Sequence, residues 1–196
     1  MSEALRTVCV FCGSMAGMRE AYAAAARALG MILARQGVTL IYGGGHVGLM
    51  GAVADAALGA HGRVVGVIPT HLMRPEIAHR ELSELIVVDS MHTRKRTMAQ
   101  RADAFIVLPG GLGTLDELFE MATWLQLGLQ AKPVGVLNVE GYFDRLLEFL
   151  EHAAREGFIR PAHRNLVLVD DDPERLCKRL AARAAPLAPT EGLELG

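Results

Sequence analysis

The chain lacks an excess of charge of either sign: 20 Lys and Arg stand against 22 Asp and Glu in 196 residues, a formal net charge of -2. That balance excludes a basic nucleic-acid-binding arm and a polybasic membrane anchor. Cysteine is scarce. Three thiols make no disulfide framework, which points to a reducing compartment and a cytoplasmic protein. No stretch of 18 apolar residues is free of charge, so no segment reads as a membrane span. Met1 to Arg6 runs straight into strand-like sequence, without the basic flank, apolar run and cleavage site of a signal peptide. Disorder is excluded as well, because 51% of residues are hydrophobic and 21% charged. The length suits one domain that buries roughly 70% of its unfolded surface.

What is present in excess is glycine, 21 residues or about 11% against roughly 7% in average proteins. There is no G-X-Y repeat, so the glycines belong to turns, helix ends or places where backbone approaches a ligand.

Short apolar runs alternate with longer helical patterns. Strands are predicted at Thr7–Cys12, Val38–Tyr42, Arg63–Ile68, Leu85–Val88, Ala104–Leu108, Pro133–Val139 and Leu166–Val169. Helices are predicted at Arg19–Gln36 (stopped by Gly37), from the first glycine cluster to about Ala60, and at Ser90–Ala102, Leu115–Leu127, Tyr142–Glu156 and Pro173–Ala185. Pro69 to Arg80 lacks a clear period and reads as a functional loop. Continuous apolar strands alternating with helices mean a parallel sheet covered on both faces. The expectation is α/β: a single Rossmann-like, doubly wound domain over residues 1–185, with about seven parallel strands, and a flexible tail over residues 186–196. In such folds ligands sit at the carboxyl ends of the strands, where both glycine clusters fall.

The first cluster, Gly43-x-Gly45-x-x-Gly48, formally matches a dinucleotide fingerprint. It follows the second strand rather than the first. The next strand also ends at Val67-Ile68-Pro69-Thr70 without the carboxylate that would hold a ribose. A tight turn and close helix packing account for Gly48 and Gly51. Three consecutive bare amides at Gly43, Gly44 and Gly45 suit an anion or a ribose. No G-x-x-x-x-G-K-[ST] occurs, so there is no P-loop.

The second cluster, Pro109-Gly110-Gly111-Leu112-Gly113-Thr114-Leu115-Asp116-Glu117, follows a buried strand and opens a helix. Its unpaired N–H groups and the helix dipole make a phosphate site. Thr114-x-x-Glu117 equally reads as a capping box, though a capping box does not need three glycines before it. Carboxylates repel a phosphate, so Asp116 or Glu117 should hold ribose hydroxyls or act on a water. The third feature is Met91-His92-Thr93-Arg94-Lys95-Arg96. Three cations near the positive end of a helix are unfavourable unless an anion faces them. A solvated basic face is the other reading for Arg96. Arg94 has Met91 and Met98 as helical neighbours and should sit at the edge of the core, facing a cleft.

Other features read as structural. Cys9-x-x-Cys12 falls in a strand, whereas a redox pair belongs at a helix N-terminus. The seven His show no ligand-like spacing, so no metal site is expected. Trp124 and Met121 fit the core or interface stripe of their helix, and Lys132 reads as a solvated turn residue.

Met91-x-x-Arg94-Lys95 combined with Pro109-Gly-Gly-x-Gly-Thr-x-x-Glu117 resembles the Lonely Guy family. These are cytokinin riboside 5′-monophosphate phosphoribohydrolases, many long labelled as lysine decarboxylases. The resemblance covers about residues 6–180. It includes Cys12-Gly13-Ser14, Gly43-Gly-Gly-x-x-Gly-Leu-Met-Gly51 and Thr123-Trp124-x-Gln126-Leu127-Gly128. It implies a Rossmann-like homodimer that binds a nucleoside 5′-monophosphate, with no nucleic acid or membrane as partner and no cofactor. The reaction implied is cleavage of N6-substituted AMP to free base and ribose 5-phosphate. The family's essential pair falls on Arg94 and Glu117. The implied binding set is Gly13, Ser14, Gly44, Gly45, Glu76, Met91, Lys95, Gly110, Gly111, Leu112, Gly113, Thr114, Leu115, Asp116 and Thr123. One departure is Met73-Arg74-Pro75-Glu76, where plant members tend to have the Pro and Arg exchanged. No lysine stands in a pyridoxal-phosphate context, so the decarboxylase label finds no support in the residues. A general purine-nucleotide nucleosidase and a non-catalytic nucleotide carrier are the alternatives.

Overall fold

The computed structural model describes residues 5–73, 78–79 and 81–184. Seven strands form one sheet: β1 (Thr7–Phe11), β2 (Thr39–Tyr42), β3 (Val64–Pro69), β4 (Glu84–Val88), β5 (Ala104–Val107), β6 (Val134–Leu137) and β7 (Val167–Asp170). Their order is β4-β3-β2-β1-β5-β6-β7, and every neighbouring pair is parallel. The longer helices are α1 (Glu20–Arg35), α2 (Gly48–Gly59), α3 (Met91–Arg101), α4 (Leu112–Gln126), α5 (Asp144–Arg155) and α6 (Pro173–Ala184). The doubly wound parallel sheet expected from the strand–helix alternation is present. The tail expected beyond residue 185 lies outside the described residues.

Alternation along each strand divides the core in two. Val8 and Val10 of β1 pack with α1, α2 and α6, whereas Cys9 and Phe11 pack with α3 and α4. Both faces are dry, which is why the strands read as continuous apolar runs. Cys9 belongs to one core and Cys12 to the other, so the Cys-x-x-Cys spacing puts the two sulfurs on opposite sides of the sheet. All three cysteines are buried free thiols, and burial pushes the thiols of Cys9 and Cys12 up. Trp124 and Met121 pack from α4 into the second core.

The sheet order runs outward from β1 to β4, then returns to β1's other edge with β5. Such a reversal opens a crevice beyond the strand ends. Here it brings Gly13 beside Pro109: the Gly13 N–H donates to the Pro109 carbonyl at 3.0 Å. Gly13's own carbonyl accepts from Leu49 and Met50 at the start of α2, at 3.0 and 3.3 Å. One glycine therefore ties three loops together. A Cβ there would lie 2.9 Å from the Met15 carbonyl oxygen.

Two local expectations need correcting. Helix α4 begins at Leu112, three residues before the predicted Leu115, with Gly111 as its N-cap and no capping side chain. A glycine N-cap carries no side-chain signal, so pattern reading moved the start to Thr114. Thr114 is in fact buried inside the first turn, and the Thr114–Glu117 capping box does not form. Lys132 is not a solvated turn residue. Its Nζ donates to the carbonyls of Ala99 and Gln100 at 2.7 and 3.2 Å, serving the last turn of α3. The helix dipole favours a cation at that end.

Candidate active site

The Arg94 side chain leaves the first turns of α3 and crosses the crevice. Ser90 caps that helix, its Oγ accepting from the Thr93 N–H at 3.2 Å. The Arg94 Nε donates to the Val67 carbonyl of β3 at 3.1 Å, and Nη1 reaches Glu117 Oε1 of α4 at 3.4 Å. Both side chains are nearly buried, 12% and 10% exposed. The guanidinium lies against Gly43, where a Cβ would stand 2.1 Å from Nη2. Gly43 is thus a platform for Arg94. The expectation that Arg94 lies at the edge of the core is met.

Glu117 is a carboxylate kept partly out of its charged form. Burial raises its pKa; Arg94 opposes this, and Asp116 and Glu120 add to it, leaving the group at about 7. Its ion pair is a single long contact, too weak to offset desolvation in full. A carboxyl group poised there can take or give a proton at neutral pH.

Next to it, the Lys95 Nζ donates to Asp116 Oδ2 at 3.0 Å and Glu120 Oε1 at 3.1 Å. Burial would lower the Lys95 pKa, but the two carboxylates outweigh it and hold the group above its ordinary value.

The two glycine clusters differ in kind. In the first, Gly44 has φ +75 and packs on Ile68, and its carbonyl accepts from the His79 N–H at 2.9 Å. Gly45 makes a β-bridge with Ala78. At Gly48 a Cβ would collide with the Ser14 backbone at 2.3 Å. The chain's own packing fills these places. In the second cluster, Gly110 is packed against Thr114 and Gly13, but nothing lies within 4 Å of a Cβ at Gly111 or Gly113. Open space thus faces the first turn of α4, whose leading N–H groups have no side-chain cap. An anion fits there.

Residues 50–180 match the family described as "Possible lysine decarboxylase". A protein of Oryza sativa subsp. japonica named "Probable cytokinin riboside 5'-monophosphate phosphoribohydrolase LOGL9" is 51% identical over 89% of this chain and 77% of its own length. The cytokinin riboside 5'-monophosphate phosphoribohydrolase LOG1 of Arabidopsis thaliana is 47% identical over 89% of this chain and 82% of its own. The chain belongs to the Lonely Guy family. Among solved structures, the molybdenum cofactor binding protein of Rippkaea orientalis shares the fold, with a TM-score of 0.69 and 24% identity over 92% of this chain and 98% of that one.

In this Lonely Guy chain the crevice brings together Gly13, Ser14, Arg94, Lys95 and the run from Gly110 to Glu117. Met91 stands in the first turn of α3 with its sulfur 4.0 Å from Arg94 Nη1. Leu112 and Ser14 are exposed at the mouth, and Leu115 turns inward to the second core. Gly44 and Gly45 are buried under the His79 segment. Thr123 is not gathered with the others: it lies on the exposed side of α4 and lines a groove between α4, α5 and β7. Glu76 lies outside the described residues.

Sequence reading missed Glu120, although its spacing of three and four from Glu117 and Asp116 placed it on the same helical face. It also missed Tyr142, whose Oη donates to the Gly110 carbonyl at 2.6 Å from 32 residues away, with no local signal. His79 was missed too. Its Nε2 bonds Asp55 at 2.8 Å and its Nδ1 accepts from the Glu81 N–H at 3.2 Å, pinning the loop end over Gly44. Among the described residues no group of three or more His, Cys, Asp or Glu is arranged to hold a metal ion. None of their helices is long and apolar enough to cross a membrane.

Proposed function

We propose that the protein hydrolyses the N-glycosidic bond of cytokinin riboside 5′-monophosphates, which are N6-substituted AMP, to free base and ribose 5-phosphate. The observation that carries this reading is the buried Arg94–Glu117 pair beside an open, uncapped helix start. The names of the relatives agree with it.

The 5′-phosphate binds the backbone N–H groups of Gly111, Leu112 and Gly113, with Lys95 near by. Phosphate binding at a distance positions the sugar for attack. Water adds to C1′ as the bond from C1′ to the purine nitrogen breaks, and the bonding pair leaves with the base. The transition state carries positive charge on the sugar, as in glycoside hydrolysis. Glu117 stabilises that charge and accepts the water's proton. The departing base takes up a proton in turn. Arg94 does not release protons at ordinary pH, so it orients Glu117 and donates hydrogen bonds. The scheme uses side chains, backbone and water alone. Lysine decarboxylation finds no lysine for it: Lys95 is paired with carboxylates, Lys132 caps α3 and Lys178 pairs with Glu174.

The reading includes a homodimer in the cytoplasm. Three free, buried thiols suit a reducing compartment. Helix α5 has no buried residue, Phe119 is exposed in the groove beside it, and Phe149 and Phe158 are exposed as well. A second copy covering that face would bury them.

The test is incubation with AMP and with isopentenyladenosine 5′-monophosphate, followed by assay of free base and ribose 5-phosphate. Release chiefly from the N6-substituted nucleotide is expected. Faster release from AMP would make the protein a general purine-nucleotide nucleosidase. Tight binding with no release would leave a carrier.

A further inference from the structure

Lys95 is held by two carboxylates of different character. Asp116 has a side chain 63% exposed, whereas that of Glu120 is 23% exposed. Only one Glu120 oxygen meets Lys95; the other is buried without a hydrogen-bond partner among the described residues. Glu120 is thus held by its surroundings and has little room to turn. Asp116 lies beside the open helix start and is free to rotate into water.

An anion arriving at that helix start repels both carboxylates. Asp116 can turn away at little cost, toward hydroxyl groups on the ligand. Lys95 would then lose one of its two anchors. Its flexible four-carbon stem has many rotamers, so a single ammonium needs a fixed partner to stay in place.

We propose that Glu120 is a positioning residue that keeps the Lys95 ammonium beside the glycine loop when Asp116 leaves it for the ligand. Glu120 itself touches no reacting atom. This rests on the reading that a nucleoside 5′-monophosphate binds at the Gly110–Asp116 loop. Glu120 differs from Asp116 in what its loss does: removing Asp116 removes a ligand contact, while removing Glu120 loosens Lys95.

The test is AMP binding by calorimetry, with melting temperature measured alongside, for the unaltered protein and for Glu120→Gln, Glu120→Asp, Lys95→Met and the Glu120→Gln/Lys95→Met double variant. Glu120→Gln should weaken AMP about ten-fold in the presence of Lys95 and less than about two-fold when Lys95 is already Met, the coupling expected of residues that act through one another. Glu120→Asp should recover part of the loss. A general folding defect would weaken AMP equally in both backgrounds. Equal losses in both backgrounds, or no loss in either, would overturn the proposal. Failure of the unaltered protein to bind AMP at all would overturn it too. AMP binding with no base released from isopentenyladenosine 5′-monophosphate would sink the hydrolase reading and leave the role of Glu120 standing.

Discussion

Glu117 and Asp170 are two buried carboxylates at the same edge of the same sheet, and their surroundings treat them in opposite ways. The side chain of Asp170, at the end of β7, is 4% exposed. Its oxygens accept from Arg175 Nε at 2.8 and 3.0 Å, from Arg179 Nη1 at 2.8 Å and from the Asp172 N–H at 3.1 Å. Burial alone would raise its pKa, but these bonds hold it well below the usual carboxylate range. Glu117 is about as buried, has one long contact with Arg94 and sits at about 7. Burial pushes both carboxyls toward the neutral form, and the number and geometry of the donors decide whether that push wins. Asp170 is satisfied and fastens α6 to the sheet. Glu117 is left short of donors, and such a group has capacity left for chemistry.

Replacing each carboxylate by its amide, which keeps the shape and removes the charge, separates the two roles. Glu117→Gln should lower the rate of base release about 10²- to 10⁴-fold with the fold kept. Asp170→Asn should change the rate less than about three-fold, measured at saturating nucleotide. Equal losses in both would erase the distinction. Gly43→Ala comes next, because the added Cβ displaces the Arg94 guanidinium. A displacement of about 1 Å near the chemistry can cost about 10²-fold, so kcat should fall by up to that amount.

Stability sharpens the same contrast. Between its ordinary pKa of 4.5 and about 7, Glu117 loses its proton in the unfolded chain but keeps it in the folded one. The unfolded state binds fewer protons there, so stability falls as pH rises through that window, by about 3 kcal/mol in all. Urea titrations from pH 4 to 8 should show this slope, and Glu117→Gln should flatten it. Asp170 runs the other way: its contribution is complete above the usual carboxylate pKa and is lost as pH falls below it. Asp170→Asn should cost about 3 kcal/mol at neutral pH, the low end for broken buried pairs because its arginines are half exposed. In the rate, base release should climb with pH up to about 7 and then level, as Glu117 ionises. The smallest effect belongs to Gly113→Ala. Alanine favours a helix by up to about 1 kcal/mol over glycine, so the protein should melt no lower while nucleotide binding weakens.

The strand positions were legible because the inner strands are buried on both faces and even the half-buried edge strands β4 and β7 are apolar runs. Gly37 stopped α1 as read: it sits at φ +69, with the Gly37 and Val38 N–H groups returning to Ala34 and Leu33 at 3.0 and 2.9 Å. The start of α4 was misread because its cap is a glycine, whose role is to leave backbone bare. Arg94 and Glu117 were legible from their motifs and from cations placed against a helix dipole. Three further contacts were not: Val67's carbonyl under Arg94, Tyr142 on Gly110 and Lys132 on α3. Each joins residues 27 or more positions apart, so it exists only once the sheet order is set. The glycine excess also divides once the fold is known. Most of the first cluster answers to the chain's own packing, whereas Gly111 and Gly113 answer to empty space.

The protein has one tryptophan, Trp124, and it stands on the helix that carries Glu117, two turns further along. No second indole dilutes its signal, so emission excited beyond the absorption of the three tyrosines comes from α4 alone. A fluorescence titration therefore reads one helix of the molecule, the one whose first turn faces the open glycine loop.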